Sequence, residues 1–231
     1  MNIIELPIAF EFNGRQNVIY PSLMVSGDEL ALVDPGYPGF LPRIETEIRN
    51  NGFEMENVSH VIITHYDDDH IGALHELKEK YPQIRVIASE AEAKAISGEQ
   101  KSERLIQAEQ MLERLPEDQK EFGEWFIRQL RQLKPVPVDH TVRDGDRLFH
   151  GQCRVVATPG HTSGHISLFF PELQSVITGD AAVNENGRLA IANPHYCLDL
   201  ERAEQSLNAI QCLDADTFYC FHGGKLWRKA E

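Results

Sequence analysis

Cysteine is scarce in this 231-residue chain: Cys153, Cys197, Cys212 and Cys220 are widely and irregularly spaced. That excludes a dense disulfide framework and a CxxC metal pair, and it fits four free thiols in a reducing compartment. Long apolar runs are missing too, and none approaches the roughly 20 residues a membrane-spanning helix needs. The opening Met1-Asn2-Ile3-Ile4-Glu5 has no basic stretch ahead of an apolar core, so no secretory leader is expected and the expected location is the cytoplasm. Basic residues are outnumbered, 22 Lys and Arg against 36 Asp and Glu, for a formal net charge of −14. Such a surface repels phosphate backbones and anionic lipid headgroups, which argues against nucleic acid or membrane as a partner. A small-molecule substrate is expected instead, with a homodimer left open. A strongly anionic substrate would need metal cations to reverse the local field. Repeats, low-complexity stretches and flexible linkers are also lacking, so a single domain over residues 1–231 is expected.

What is present is a soluble globular composition, 42% hydrophobic and 25% charged. Residues 17–26 and 29–33 read as a strand hairpin around a Gly27-Asp28 turn, ending at Asp34-Pro35-Gly36. Residues 43–50 predict a helix, residues 58–64 a β-branched strand, and residues 71–80 a helix with Ile71, Leu74 and Leu77 on one face. Residues 89–134 read as an inserted helical hairpin with two apolar stripes, Leu105, Ala108, Leu112 and Leu115, then Phe122, Trp125, Phe126, Leu130 and Leu133. Both stripes read first as packing surface; the sharper alternative is a lid that sets some of its aromatics over a cleft. Strands return at 147–149, 153–158, 165–170 and 175–178, followed by a helix at 200–213 and a last strand at 217–221. This order predicts an α/β layered sandwich with helices outside.

Every strong chemical signal sits where a strand runs out. His65-Tyr66-Asp67-Asp68-Asp69-His70 places five potential ligands in six residues. In an extended loop His65, Asp67 and Asp69 alternate toward one side, and His70 enters the next helix beside Asp69. Imidazole and carboxylate at this spacing suit borderline or hard divalent cations. An acidic loop at a helix N-terminus is favourable by itself, which explains Asp68 or Asp69 but not two flanking histidines. Pro159-Gly160-His161-Thr162-Ser163-Gly164-His165 fixes a tight turn from which His161 projects. Gly179-Asp180 ends an apolar run with a carboxylate whose burial needs a cation or partner. Cys220-Phe221-His222-Gly223-Gly224 carries a His at a strand end.

Taken in this order, the motifs resemble those of a metallo-β-lactamase-fold hydrolase, whose pattern is H-x-H-x-D-H, a distal His in P-G-H-T-x-G-H, then G-D and a final His. The resemblance spans about residues 17 to 224, and Asp34 falls where the family carries a strand-end Asp-Thr-Gly. It implies an αβ/βα four-layer sandwich and two divalent metal ions. His65, Asp67 and His161 would hold the first, Asp69, His70 and His222 the second, and Asp180 would bridge them. Zinc is the default, with manganese or iron as alternatives. Asp67 departs from the commonest pattern, which has His there. Three carboxylates and a bridging hydroxide would then cancel both cations, leaving a less acidic bound water and a lean toward harder metals.

The resemblance further implies hydrolysis, with the bridging hydroxide attacking an electrophilic centre and Asp69 and Asp180 orienting it as catalytic residues. Asp34, His165 and Tyr196 are expected around this centre, Asp34 behind a ligand, His165 in a structural hydrogen bond and Tyr196 near substrate. The remaining histidines, His60, His75, His140, His150 and His195, read as packing or surface residues. A small ester, lactone or thioester is the expected substrate, because no basic cluster offers itself to glutathione. A di-iron redox enzyme and a non-catalytic metal-binding sensor are the alternatives.

Overall fold

The computed structural model describes residues 1–12, 14–27 and 29–228. Two six-stranded sheets face each other. The first runs in the order Asn2–Glu5, Ser22–Ser26, Glu29–Val33, Val58–Ile63, Arg85–Ser89, His140–Val142, antiparallel at the start and parallel from Glu29–Val33 onward. The second runs Gly224–Trp227, Thr217–Cys220, Ser175–Gly179, Ile166–Phe170, Cys153–Ala157, Arg147–Leu148.

Both faces of each sheet are covered, so the central strands are continuous apolar runs rather than alternating ones. Ala31, Val33 and Ile62 point between the sheets against Val155, Ile166, Leu168 and Ile177. Their neighbours Leu32, Val61 and Ile63 point outward onto Ile44 and Ile48 of helix Leu41–Asn50 and onto Leu74 and Leu77 of helix Leu74–Lys80. Val176 and Phe218 on the far sheet pack on Ile210 of helix Leu200–Gln211. These are the four layers of an αβ/βα sandwich.

Several expected elements are divided. The run 17–26 breaks at Tyr20-Pro21, because Pro21 has no N–H to continue a ladder. Arg15–Ile19 pairs with Ile8–Phe12 in a small separate hairpin, while Ser22–Ser26 joins the first sheet. Of the Gly27-Asp28 turn, Asp28 lies outside the described residues. The helix expected over 71–80 is two, Asp68–Ile71 and Leu74–Lys80, since the Ala73 N–H donates to the Gly36 carbonyl instead of one helical turn back. The insertion holds three helices, not two. Glu90–Ile96 precedes the expected pair Glu103–Leu112 and Glu117–Gln132, and its N-cap is Ser89, whose hydroxyl accepts from the Glu92 N–H. Among the described residues no helix is long and apolar enough to cross a membrane.

Candidate metal centre

Five strand ends from both sheets meet at one edge of the sandwich. Val33 hands the chain to Asp34, Ile63 to Thr64–His70, Ala157 to the His161 turn, Gly179 to Asp180 and Cys220 to His222. Six of the seven expected ligands converge there in two groups: His65, His161 and Asp180 offer ligand atoms within 4.8 Å of one another, and so do Asp69, His70 and His222. Asp67, expected in the first group, stands outside that set, with its Oδ2 3.0 Å from His161 Nε2 and 3.5 Å from His65 Nε2. Asp180 spans both groups. Its Oδ1 lies 3.2 Å from His70 Nε2 and 3.6 Å from His222 Nε2, and its Oδ2 lies 3.5 Å from His161 Nε2. Burial would raise the Asp180 carboxyl, but His222 and His70 outweigh it and hold the group well below the usual carboxylate range.

The imidazoles are aimed by what stands behind them. Asp34, buried and at φ +56°, a left-handed conformation that Asp tolerates, accepts from Thr64 N–H (2.8 Å), Thr64 Oγ1 (2.7 Å) and His70 Nδ1 (2.9 Å). Because the Thr64 hydroxyl donates to Asp34, it is left to accept from His65 Nδ1 at 3.0 Å. Both rings therefore turn Nε2 toward the centre, the arrangement by which outer partners set ligand tautomer. His165 is not among the converging ligand atoms. Its Nε2 accepts from the Asp180 N–H at 2.9 Å, and its Nδ1 contacts Thr158 Oγ1 at 2.8 Å. Burial, then the neighbouring histidines, push His165 well below the ordinary imidazole range, so it stays neutral and can accept. Gly179, at φ +53°, is needed here, since a Cβ would stand 2.6 Å from His165 Nε2.

Two residues that sequence reasoning missed complete the site. Arg104, fully buried at the start of helix Glu103–Leu112, grips Asp67 at two points, Nε to Oδ1 at 2.9 Å and Nη2 to Oδ2 at 2.7 Å. The same Nη2 is 3.2 Å from His161 Nε2, and Nη1 donates to the Tyr196 carbonyl and to Gln107. Burial would raise the Asp67 carboxyl, yet Arg104 and the adjacent histidines hold it well below its ordinary value. The guanidinium adds one positive charge to the expected balance, restoring the count that a His at position 67 would give. The expected lean toward a less acidic water and harder metals loses its basis. Nothing in the Ser102-Glu103-Arg104-Leu105 string marks this Arg, which reads as the polar edge of a helix.

Glu92 is the second. Ser89-x-x-Glu92 reads as a capping box, which would send the carboxylate back to its own helix start. Instead Glu92 accepts from Tyr66 N–H (3.0 Å), Thr162 Oγ1 (2.5 Å) and Gly164 N–H (3.2 Å), tying together the two loops that carry His65 and His161. Burial, only partly offset by these donors, raises its pKa to about 7.

The centre, together with Asp68, lines a cleft of about 380 Å³. Phe122, Trp125 and Phe126 of the insertion, Phe12 of the small hairpin, Tyr37 and Tyr196 form its walls. The second apolar stripe is therefore divided: Leu130 packs inward and the three rings face the cleft. Tyr196 also lies under the Arg104 guanidinium, 5.5 Å from it, and His195 is exposed.

A four-layer sandwich with His and Asp side chains gathered at one sheet edge defines a class of metal-binding hydrolase folds. The chain belongs to the metallo-β-lactamase superfamily, whose family model matches residues 15–222. It is similar to a hydroxyacylglutathione hydrolase of Brucella anthropi, 27% identical over 183 residues, covering 78% of this chain but only 52% of that one. The chain thus spans about half the length of these relatives. It is also similar to a probable metallo-hydrolase of Bacillus subtilis strain 168, 25% identical over 225 residues, 90% of this chain and 80% of that one. In fold it resembles a metallo-β-lactamase family protein of Thermus thermophilus, with TM-score 0.70, 22% identity and coverage of 97% and 74% of the two chains.

The residues fit the metals that the superfamily implies. His65 Nε2, His70 Nε2 and Asp180 Oδ1 are buried without a hydrogen-bond partner, an expensive arrangement unless a cation takes their lone pairs.

Proposed function

We propose that this protein is a metal-dependent hydrolase that cleaves a small ester, lactone or thioester with an apolar acyl part. The observation that carries the reading is the convergence of three unpartnered buried ligand atoms beneath an aromatic-walled cleft. His65, Asp67 and His161 would hold one divalent cation, Asp69, His70 and His222 the other, with Asp180 shared. Such cations, when bound, activate water near neutral pH and neutralise charge that develops on a carbonyl oxygen. Asp69, whose Oδ2 lies 3.1 Å from His222 Nε2, and Asp180 would orient the attacking water, with Asp69 taking its proton. The aromatic walls bind the acyl part and exclude bulk water from the reacting carbon. Tyr196 forms part of the wall nearest Arg104.

The lining also bears on substrate charge. Arg104 is the only Lys or Arg among the described lining residues, and its charge is taken up by Asp67. A substrate with several carboxylates, such as a glutathione thioester, therefore meets no unpaired Lys or Arg among the described lining residues, whereas a neutral acyl group meets rings. The test loads the full chain with zinc, manganese or iron and screens lactones, aryl esters, acyl thioesters and phosphodiesters. Turnover of apolar acyl substrates above glutathione thioesters is expected. Uniform silence with metal bound would overturn the hydrolase reading in favour of a sensor, and oxygen-dependent spectral change with iron in favour of redox chemistry.

A further inference from the structure

The two halves of the centre are not electrostatically alike. In the first half the Asp67 carboxylate already accepts from Arg104 through both oxygens, and the guanidinium also lies 3.2 Å from His161 Nε2. A positive charge thus stands among the lone pairs that a cation would use. Behind the histidines of this half stand a hydroxyl and a sulfur rather than a carboxylate, Thr64 Oγ1 at His65 Nδ1 and Cys197 Sγ 4.0 Å from His161 Nδ1. The second half differs on each count. Asp69 makes no contact with Lys or Arg among the described residues; the groups facing it are His70, at 3.7 Å, and His222, at 3.1 Å. His70 is backed by the ionisable carboxylate of Asp34 at 2.9 Å, which makes its Nε2 a stronger donor to a metal. Asp180 turns Oδ1 to this half and Oδ2 to the other, so it does not offset the difference.

We propose that Arg104 makes the centre unequal: the Asp69–His70–His222 half takes a divalent cation first, and the His65–Asp67–His161 half takes one more weakly. The proposal rests on the two-cation reading given above. Arg104 acts as a positioning and charge-setting residue, and it ties that setting to the insertion. Its Nη1 holds the Tyr196 carbonyl in the cleft wall, so the weaker half and the wall share one anchor.

Titration of the metal-stripped full chain with cobalt(II), followed by calorimetry and by the visible absorption of the bound ion, separates the halves without measuring turnover. The expected result is one tight equivalent and a second that binds about tenfold more weakly or worse. His222→Ala should remove the tight phase, and His161→Ala the weak one. Arg104→Met should strengthen the weak phase by about tenfold, and Arg104→Lys, which keeps the charge but loses the two-point grip, by less. Loss of the tight phase in His161→Ala, two equal phases in the parent, or no gain in a folded Arg104→Met would overturn the proposal and leave the hydrolase reading intact. If Arg104→Met does not fold, the two histidine variants still decide the order of filling. No cobalt binding at all would overturn both.

Discussion

Asp34 carries more of the site than its place outside the ligand sets suggests. One buried carboxylate receives the Thr64 N–H, the Thr64 hydroxyl and His70, and through that hydroxyl it also sets the tautomer of His65. Asp34→Asn keeps the shape and tolerates φ +56°, but its amide nitrogen cannot accept, so at least one of these donors loses its partner. Metal affinity is expected to fall roughly 10- to 100-fold, as for other partners standing behind a ligand, with little change in secondary structure by circular dichroism. Equilibrium dialysis against zinc measures it. Asp180→Ala, which removes the ligand common to both halves, should lose more than this and lower bound metal together with turnover.

Helix Glu90–Ile96 anchors itself in the core through Ile96 and serves the site through Glu92. Removing Glu92 as Glu92→Ala strands Tyr66 N–H, Thr162 Oγ1 and Gly164 N–H in a buried place, at a cost on the order of 3 kcal/mol in urea unfolding. The group also predicts a pH effect. Its pKa is raised from 4.5 to about 7 in the folded chain, so between those values the folded state binds a proton that the unfolded state has lost. Stability contributed at this site therefore declines as pH rises from 4.5 to about 7 and is flat above. Unfolding curves of the metal-free protein should show this decline, and Glu92→Gln, which has no charge to bury, should lack that part of it. Helix Glu117–Gln132 lines the cleft instead, and in the proposed function its rings meet the substrate. Phe122 is 45% exposed and contributes little to the core, so Phe122→Ala should leave the melting temperature nearly unchanged. Trp125→Ala or Phe122→Ala should raise KM for apolar acyl substrates by about tenfold while kcat moves less, consistent with about 1–1.5 kcal/mol of ring contact.

The molecule as a unit places a cluster of carboxylates, Asp67, Asp68, Asp69 and Asp180, on a chain of net charge −14. The buried ligand atoms there that lack a hydrogen-bond partner favour unfolding until cations take their lone pairs. Saturating zinc or manganese should raise the unfolding free energy by about 2.7 kcal/mol at roughly 100-fold excess over Kd, and chelator should reverse the gain. A melting temperature indifferent to metal would count against a centre built by both sheets.

The ligand string was legible before any coordinates because its chemistry is local. A histidine or aspartate after an apolar β-branched run, beside a Pro-Gly or Gly-Gly turn, announces a strand end; that the four ends share one sheet edge followed only from the resemblance to the metallo-β-lactamase family. The strand divided at Tyr20-Pro21 and the third insertion helix escaped the reading, because each depends on which distant backbone takes up a hydrogen bond. Arg104, Glu92 and the ring of Phe12 escaped for a deeper reason. A charged or aromatic residue has the same local pattern whether it meets solvent, core or a carboxylate 37 residues away. Folding chose among these by burying Arg104 only where Asp67 could pair with it, since a buried charge without a partner is too costly to keep. Composition and motif thus establish the family chemistry, while the charge balance of the centre and the shape of its cleft arise from contacts made across the chain.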